Sequence, residues 1–126
     1  MGGASTNFWA DLFRFARGDI NVHIAEPVEL ILSKQLRNSF LALKVTYFNQ
    51  VYDYCAGEGV DFESVRKLIT SDPRIGPSHS FVTEERGFGG HCLPKDTRAT
   101  ELSADGNMPL LKQILEYNQK FKSTFS

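Results

Sequence analysis

The longest apolar pattern of the chain runs from about residue 26 to residue 55, with no glycine or proline after Pro27. Apolar residues recur along it at helical spacing, and a proline suits the first turn of a helix. These apolar positions are too numerous for one narrow stripe, so we expect the helix to be covered on more than one side. Gly57 and Gly59 predict where it ends.

Two shorter patterns precede this helix. Residues 5–17 place apolar side chains at helical spacing, and Ser5 or Thr6 can cap a helix there. Residues 20–24 alternate between apolar and polar positions, which predicts a brief strand. The chain is therefore expected to begin with a small αβ segment.

Three more helices are predicted after the long one. Asp61 can cap a helix over residues 62–70, and helical patterns also cover residues 95–104 and the chain from about residue 109 onward. A long loop opens at Pro73 and ends at Cys92, and loops of this length inside a compact domain are often functional. The predicted fold class is mainly α, built on one long helix.

Composition and charge exclude several classes of protein. A chain of 126 residues suits one domain with a core and is short for a complete two-substrate enzyme. The net charge of −1, without a basic run, argues against nucleic-acid binding. No apolar run approaches the length of a membrane span. The two cysteines fit reduced cytosolic thiols better than a disulfide, which predicts a cytoplasmic protein.

The segment around Cys92 has the composition of a reactive site. Three glycines within residues 87–90 allow the backbone to approach a ligand closely. Pro94 fits the first turn of a helix, which would place Cys92 at a helix N-terminus, where the partial positive charge favours a thiolate. Lys95 adds a cation nearby. The thiolate is the nucleophilic form, so Cys92 is a candidate nucleophile.

Two other interpretations, a buried inert cysteine and a zinc site, fit this segment less well. Free cysteines are often buried and inert, but this description suits Cys55, at the end of an apolar helix pattern, better than Cys92. His91 and Cys92 are adjacent and no CxxC pair is present, which makes a poor zinc site. We therefore predict a reactive Cys92 and no metal.

Residues 87–96, GFGGHCLPKD, resemble the signature of the UDP-glucose/GDP-mannose dehydrogenase family, which reads GFGGSCFPKD or close variants. The chain departs from it at His91, where the family has a small residue. Further blocks resemble the family in the same order along the chain: Ala25 and Glu26, Lys34 and Asn38, Asn49 and Gln50 (the family has Glu at the second position), residues 72–76, and residues 110–118.

The resemblance also implies a domain division. Residues 1–24 resemble the end of the family's NAD-binding Rossmann domain, and residues 25–126 resemble its helical central domain, which carries the catalytic cysteine. No GxGxxG motif is present, so the main NAD-binding domain is expected to be missing and the chain to be inactive alone. An expressed piece, a gene fragment and a naturally short protein all remain open.

The family oxidises the C6 alcohol of a nucleotide sugar to a carboxylate with two NAD molecules in succession. By resemblance, Cys92 attacks the aldehyde-level intermediate to form a thiohemiacetal, which a second hydride transfer converts to a thioester for hydrolysis. UDP-glucose is the default substrate, and GDP-mannose or a UDP-N-acetyl sugar remains open.

The same resemblance assigns catalytic roles to three further residues. Lys34 and Asn38 share one helix face, since they lie four positions apart, and would stabilise negative charge on a substrate oxygen. Lys34 would also take part in proton transfer. Asp96 would position water or act as a base.

Substrate and cofactor contacts are implied as well. Arg74 would bind a substrate phosphate or hydroxyl, across a dimer interface as in the family, and an arginine fork suits phosphate. Lys34 and Asn38 would also contact the substrate. Phe88 and Gly89 would line the sugar-nucleotide site, and Lys95 would lie close to NAD or substrate.

Three functional hypotheses follow from these patterns. The chain is an enzyme domain that works with its Rossmann partners, a non-catalytic homodimerisation module, or an isolated fragment with exposed interfaces. The apolar helix over residues 26–55 predicts a homodimer under the first two hypotheses. They differ in whether Cys92 is activated and whether a nucleotide sugar binds.

Overall fold

The computed structural model describes residues 26–90 and 92–125, with side chains described as far as Phe121. The chain divides into two units, Met1–Lys34 and Gln35–Ser126. Four helices make up 71% of the described residues, and these residues form no strand. The helices are α1 (Pro27–Glu58), α2 (Phe62–Thr70), α3 (Cys92–Ala104) and α4 (Pro109–Phe125). The prediction of a mainly α fold built on one long helix is confirmed.

Several predictions concern residues that lie outside this description. The helix over residues 5–17, the strand over residues 20–24 and the Rossmann remnant over residues 1–24 all fall there. The domain boundary after residue 24 therefore stays a prediction.

Helix boundaries agree closely with the sequence pattern, with one informative difference. The helix over residues 62–70 is confirmed, and α1 extends a few residues beyond the predicted end at residue 55. Helix α3 starts at Cys92 instead of residue 95. Pro94 allows this earlier start because the first four N–H groups of a helix have no partner within the helix. Cys92 is consequently the first residue of the helix.

The loop between α2 and α3, here called the cysteine loop, covers the described residues 73–90. The core is formed where it meets two helices. The side chain of Phe88 packs with Ala42 and Val45 of α1 and with Leu111 and Ile114 of α4. Helix α3 packs against α4. Phe88 thus anchors the end of this loop in the hydrophobic core.

A second apolar face of α1 is exposed in the single chain. Phe40 is 60% exposed and Tyr47 is 56% exposed, and Leu36 and Tyr54 continue the same stripe at helical spacing. The expected cover on a second side of this helix is therefore not supplied by the described residues of the chain itself. None of the helices within the described ranges is long and apolar enough to cross a membrane.

Helix α2 begins with a capping aspartate whose contribution can be titrated. Asp61 accepts hydrogen bonds from the Ser64 hydroxyl at 2.8 Å and the Ser64 backbone N–H at 3.1 Å. These bonds, the hydroxyl bond first, lower the pKa of Asp61 below its ordinary value of 3.8. The carboxylate therefore stabilises the fold fully above the unfolded-state pKa, and this contribution is lost as the pH falls through the lower folded-state pKa.

We expect Asp61→Ala to lower Tm at pH 7, because the orphan N–H groups of the first helical turn lose their acceptor. The difference from wild type should shrink as the pH drops below 3.8. Asp61→Asn is the matched control, since asparagine also caps helices, and its advantage over alanine should not vary with pH. Thermal unfolding followed by circular dichroism between pH 2.5 and pH 7 measures the Tm of all three proteins. A difference in Tm between wild type and Asp61→Ala that stays constant over this range would contradict the proposed contribution of the Asp61 carboxylate.

Candidate active site

Cys92 lies at the N-terminus of α3, with its free thiol exposed. One helical turn later, Asp96 is only 4% exposed. Its Oδ2 accepts a hydrogen bond of 2.6 Å from Nδ2 of Asn38 on α1. The structure therefore links Asn38 directly to the helix that begins with Cys92.

The contact between Asn38 and Asp96 has a clear chemical meaning. A buried carboxylate needs a hydrogen-bond partner, and the Asn38 amide provides one. An amide nitrogen carries two N–H groups, so an asparagine that donates to a carboxylate can still offer its second N–H to a substrate oxygen. Asp96 can thus serve as the acid–base group and Asn38 as the group that binds a substrate oxygen, both close to the N-terminus of α3.

The two lysines that the sequence predicts as site residues, Lys34 and Lys95, have exposed side chains. Lys34 lies on α1 one turn before Asn38, and it belongs to the first of the two units. Its approach to Cys92 stays a prediction from the sequence. Lys95 lies in the first turn of α3, near Cys92, and its contact with cofactor or substrate also stays a prediction.

The backbone that leads to the cysteine is held by two asparagine side chains. The N–H of Gly87 donates to Asn49 Oδ1 at 3.0 Å, and the N–H of Phe88 donates to Asn118 Oδ1 at 2.7 Å. Both asparagines are buried. The Phe88 side chain is 2% exposed and belongs to the core, so any contact that Phe88 makes with a substrate falls to its backbone. Gly89, the next residue, is exposed.

Arg86, the residue before Gly87, attaches the same segment to α1 through its side chain. Its guanidinium lies between the rings of Tyr52 and Phe121, 4.7 Å and 4.6 Å from their centroids. It donates to Asn49 Oδ1 at 2.8 Å and to Asp53 Oδ1 at 2.9 Å. The arginine has a positive φ of 60°, a conformation that side chains rarely adopt and that these contacts hold in place.

Sequence reasoning did not find this anchoring set. Asn49 was noted only as part of a family block, and Arg86 was not singled out. The available signal was a polar amide at position 49 inside an apolar helix pattern, where a buried asparagine must have partners.

Arg74 lies in a different place from the group around Cys92. It is 87% exposed at its side chain and forms a bidentate ion pair with Asp72, with a shortest distance of 2.7 Å. This hydrogen bonding lowers the pKa of Asp72. Arg74 lines a groove of about 380 Å³ together with Phe40 and Tyr47 of the exposed α1 face. Cys92, Asn38 and Asp96 do not line this groove.

The described residues form neither a cluster of metal ligands nor a dinucleotide site of the Rossmann kind. The described part of the chain contains no group of three His, Cys, Asp or Glu side chains able to hold a metal ion. A dinucleotide site of the Rossmann kind needs a strand, a glycine-rich turn and free N–H groups. The described ranges form no strand, and the N–H groups of Gly87 and Phe88 are already bonded to side chains. Among the described residues, this loop therefore does not form a dinucleotide site of the Rossmann kind.

Comparison with known proteins finds one family that matches most of the chain. Residues 29–120 match the central domain of the UDP-glucose/GDP-mannose dehydrogenase family. The chain is 42% identical to a UDP-glucose 6-dehydrogenase of Pseudomonas aeruginosa over 91 residues, which are 72% of this chain and 20% of that protein.

Other bacterial relatives align over more of the chain. Identity to a UDP-glucose 6-dehydrogenase of Bacillus subtilis is 35% over 117 residues, 90% of this chain and 26% of that protein. Identity to the UDP-glucose 6-dehydrogenase of Campylobacter jejuni is 32% over 113 residues, 86% of this chain and 28% of that protein. The chain thus spans between about a fifth and a little over a quarter of the length of these relatives. By its helical fold and by this match, it belongs to the UDP-glucose/GDP-mannose dehydrogenase family.

Proposed function

We propose that this chain is the catalytic central domain of an NAD-dependent nucleotide-sugar dehydrogenase that acts on UDP-glucose, with Cys92 as the nucleophile. The observation that carries the proposal is an exposed thiol at a helix N-terminus, one turn from a buried aspartate held by Asn38. The proposal places the protein in the cytoplasm, where free thiols such as Cys55 and Cys92 stay reduced.

The chemistry proposed for these residues is a covalent capture of the substrate. The Cys92 sulfur bonds to C6 of the aldehyde-level sugar, the carbonyl π electrons move to oxygen, and the thiol proton ends on that oxygen. Asn38 and Lys34 stabilise the negative charge that develops there. Asp96, held by Asn38, positions water for the later hydrolysis.

Binding of NAD is assigned to parts outside the described residues. The described residues form no Rossmann-type dinucleotide site, so they supply the nucleophile and its supporting groups, and the main NAD-binding site lies elsewhere. The chain by itself is therefore expected to form no NADH from UDP-glucose and NAD. Lys95, in the first turn of α3, is proposed to approach the cofactor or the substrate.

We also propose that the exposed face of α1, defined by Leu36, Phe40, Tyr47 and Tyr54, binds a second copy of the chain. Large apolar stripes of this kind mark interaction surfaces, and a two-fold dimer brings the same patch of both copies together. Arg74 lines the groove beside this face. Following the resemblance to the family, we propose that this arginine of one copy contacts the substrate of the other. A purely structural dimerisation module would use the same face without a reactive Cys92.

Protection of Cys92 by the substrate is the direct test of the proposed activity. We expect iodoacetamide to alkylate the exposed Cys92 much faster than the buried Cys55, which serves as the internal control. UDP-glucose at ten times its Kd should slow alkylation of Cys92 about tenfold, because about nine chains in ten are then occupied. Mass spectrometry of the alkylated peptides measures both rates in the purified chain.

The choice of competitors separates the remaining alternatives. UDP and glucose 1-phosphate, added alone, report whether both halves of the ligand are needed. GDP-mannose and a UDP-N-acetyl sugar identify the sugar class. If no nucleotide sugar protects Cys92, the catalytic proposal fails and the dimerisation module becomes the better interpretation.

A further inference from the structure

The cysteine loop is attached to the helices through its own backbone. Consecutive N–H groups, those of Gly87 and Phe88, each donate to the side-chain oxygen of a buried asparagine. One acceptor, Asn49, lies on α1, and the other, Asn118, lies on α4. Two separate helices therefore hold adjacent peptide groups of the segment that leads to Cys92.

Asn49 is itself oriented by a further hydrogen bond, and Asn118 lies close against Gly87. The amide nitrogen of Asn49 donates to the Val45 carbonyl of its own helix at 2.9 Å, which orients the Asn49 oxygen toward the loop. At Gly87, with φ of 64°, a methyl group would overlap the amide oxygen of Asn118. The glycine at this position is thus explained by the close approach of the Asn118 side chain.

The two hydrogen bonds to Asn49 and Asn118 restrain the part of the loop whose glycines leave its backbone most freedom. Gly87 and Gly90 both have positive φ, and glycine adopts several backbone conformations at similar energy. A glycine-rich segment without anchors would populate several paths into α3. Acceptors on two helices select one path and so define where Cys92 and the exposed Gly89 lie.

We propose that Asn49 and Asn118 are positioning residues for Cys92, which hold the backbone of residues 87 and 88 in the geometry that receives the nucleotide sugar. This inference rests on the proposed function. Neither asparagine is assigned contact with substrate; each acts through the loop backbone.

The test compares two changes at Asn118 in the full chain. Asn118→Leu keeps the size of the side chain and removes the oxygen, whereas Asn118→Asp keeps an oxygen acceptor for the Phe88 N–H. Gln113→Leu, an exposed amide on the same helix, is the matched control. The readouts are hydrogen exchange of the Gly87 and Phe88 amides by NMR, and the UDP-glucose concentration that half-protects Cys92 from alkylation.

We expect Asn118→Leu to speed amide exchange at Phe88 about tenfold and to raise the half-protecting UDP-glucose concentration about tenfold, as the loss of a buried hydrogen bond implies. Asn118→Asp should keep both values within about twofold of wild type, since the acceptor remains. Gln113→Leu should change neither value. Equal losses in the leucine and aspartate variants, or wild-type half-protection in Asn118→Leu, would overturn the positioning role.

Two controls keep the outcome decisive. If Asn118→Leu does not fold, the hydrogen-exchange rates of the wild-type chain test the anchoring instead. The Gly87 and Phe88 amides should exchange more slowly than those of Glu84 and Glu85. Equal exchange rates would refute the anchoring. If UDP-glucose gives no protection even in the wild-type chain, the proposed function fails, while exchange at Phe88 still reports separately on the anchoring.

Discussion

Replacing Gly87 with alanine is expected to destabilise the chain by about 2–5 kcal/mol. The left-handed backbone at this position costs a side-chain-bearing residue about 1–2 kcal/mol. The added methyl group must also displace the Asn118 amide, and a buried N–H that loses its acceptor costs about 1–3 kcal/mol more. Urea unfolding followed by circular dichroism measures the change in the free energy of unfolding.

Gly59→Ala is the matched control for the effect at Gly87. Gly59 has a similar φ of 70°, and no atom lies within 4 Å of the position that its Cβ would take. It should therefore show the backbone cost alone, about 1–2 kcal/mol. Equal destabilisation by the two alanines would mean that the approach of Asn118 to Gly87 contributes nothing to stability.

Phe40→Glu is expected to weaken self-association about 1000-fold. Loss of a central aromatic side chain at an interface costs about 2 kcal/mol, and a two-fold dimer carries the change twice. The resulting 4 kcal/mol or so corresponds to about three powers of ten in Kd. Two carboxylates brought to one apolar surface would add a further penalty for desolvation.

Sedimentation velocity over a range of chain concentrations measures this change in Kd. Leu102→Glu is the matched control, because Leu102 on α3 is an exposed apolar residue outside the α1 stripe. It should leave self-association unchanged. A wild-type chain that is monomeric at high concentration, or equal effects of the two glutamates, would exclude the α1 face as the dimer interface.

The helices could be predicted because their signals are local. The run from Pro27 shows its helix through spacing alone, and Asp61 defines the start of α2 within a single turn of chain. The predicted start of α3, residue 95, is three residues too late, even though the first turn of a helix was expected at Pro94. The structure places two helical residues before it.

The candidate site could be predicted only in part, for the same reason. The resemblance predicted Cys92, Asn38 and Asp96 as site residues, and the structure joins the last two by a hydrogen bond. The comparisons confirm the family, and the catalytic roles of the three residues stay predictions. The hydrogen bonds from Arg86 and Gly87 of the loop to Asn49 of α1 connect residues more than thirty positions apart. No short pattern in the sequence encodes such pairs, because they exist only after the helices have packed.

The core position of Phe88 shows the same limit. Its place in a signature motif predicted a role in lining the substrate site, and the motif gave no indication of its burial. The structure shows a side chain packed against α1 and α4, and the role of Phe88 in binding stays a prediction. A residue near a nucleophile can serve in core packing or in substrate binding, and its position in the sequence alone does not distinguish these two roles.

The anchoring of the loop by Asn49 and Asn118 has a consequence for the order of folding. The first acceptor is already present when the loop is synthesised, whereas the second lies on the last helix and emerges only after Cys92. Contacts of long sequence separation form late because the intervening chain must first give up its freedom. The thiol is therefore expected to spend the early life of each new chain on an unanchored loop, and to acquire its final surroundings only when α4 docks.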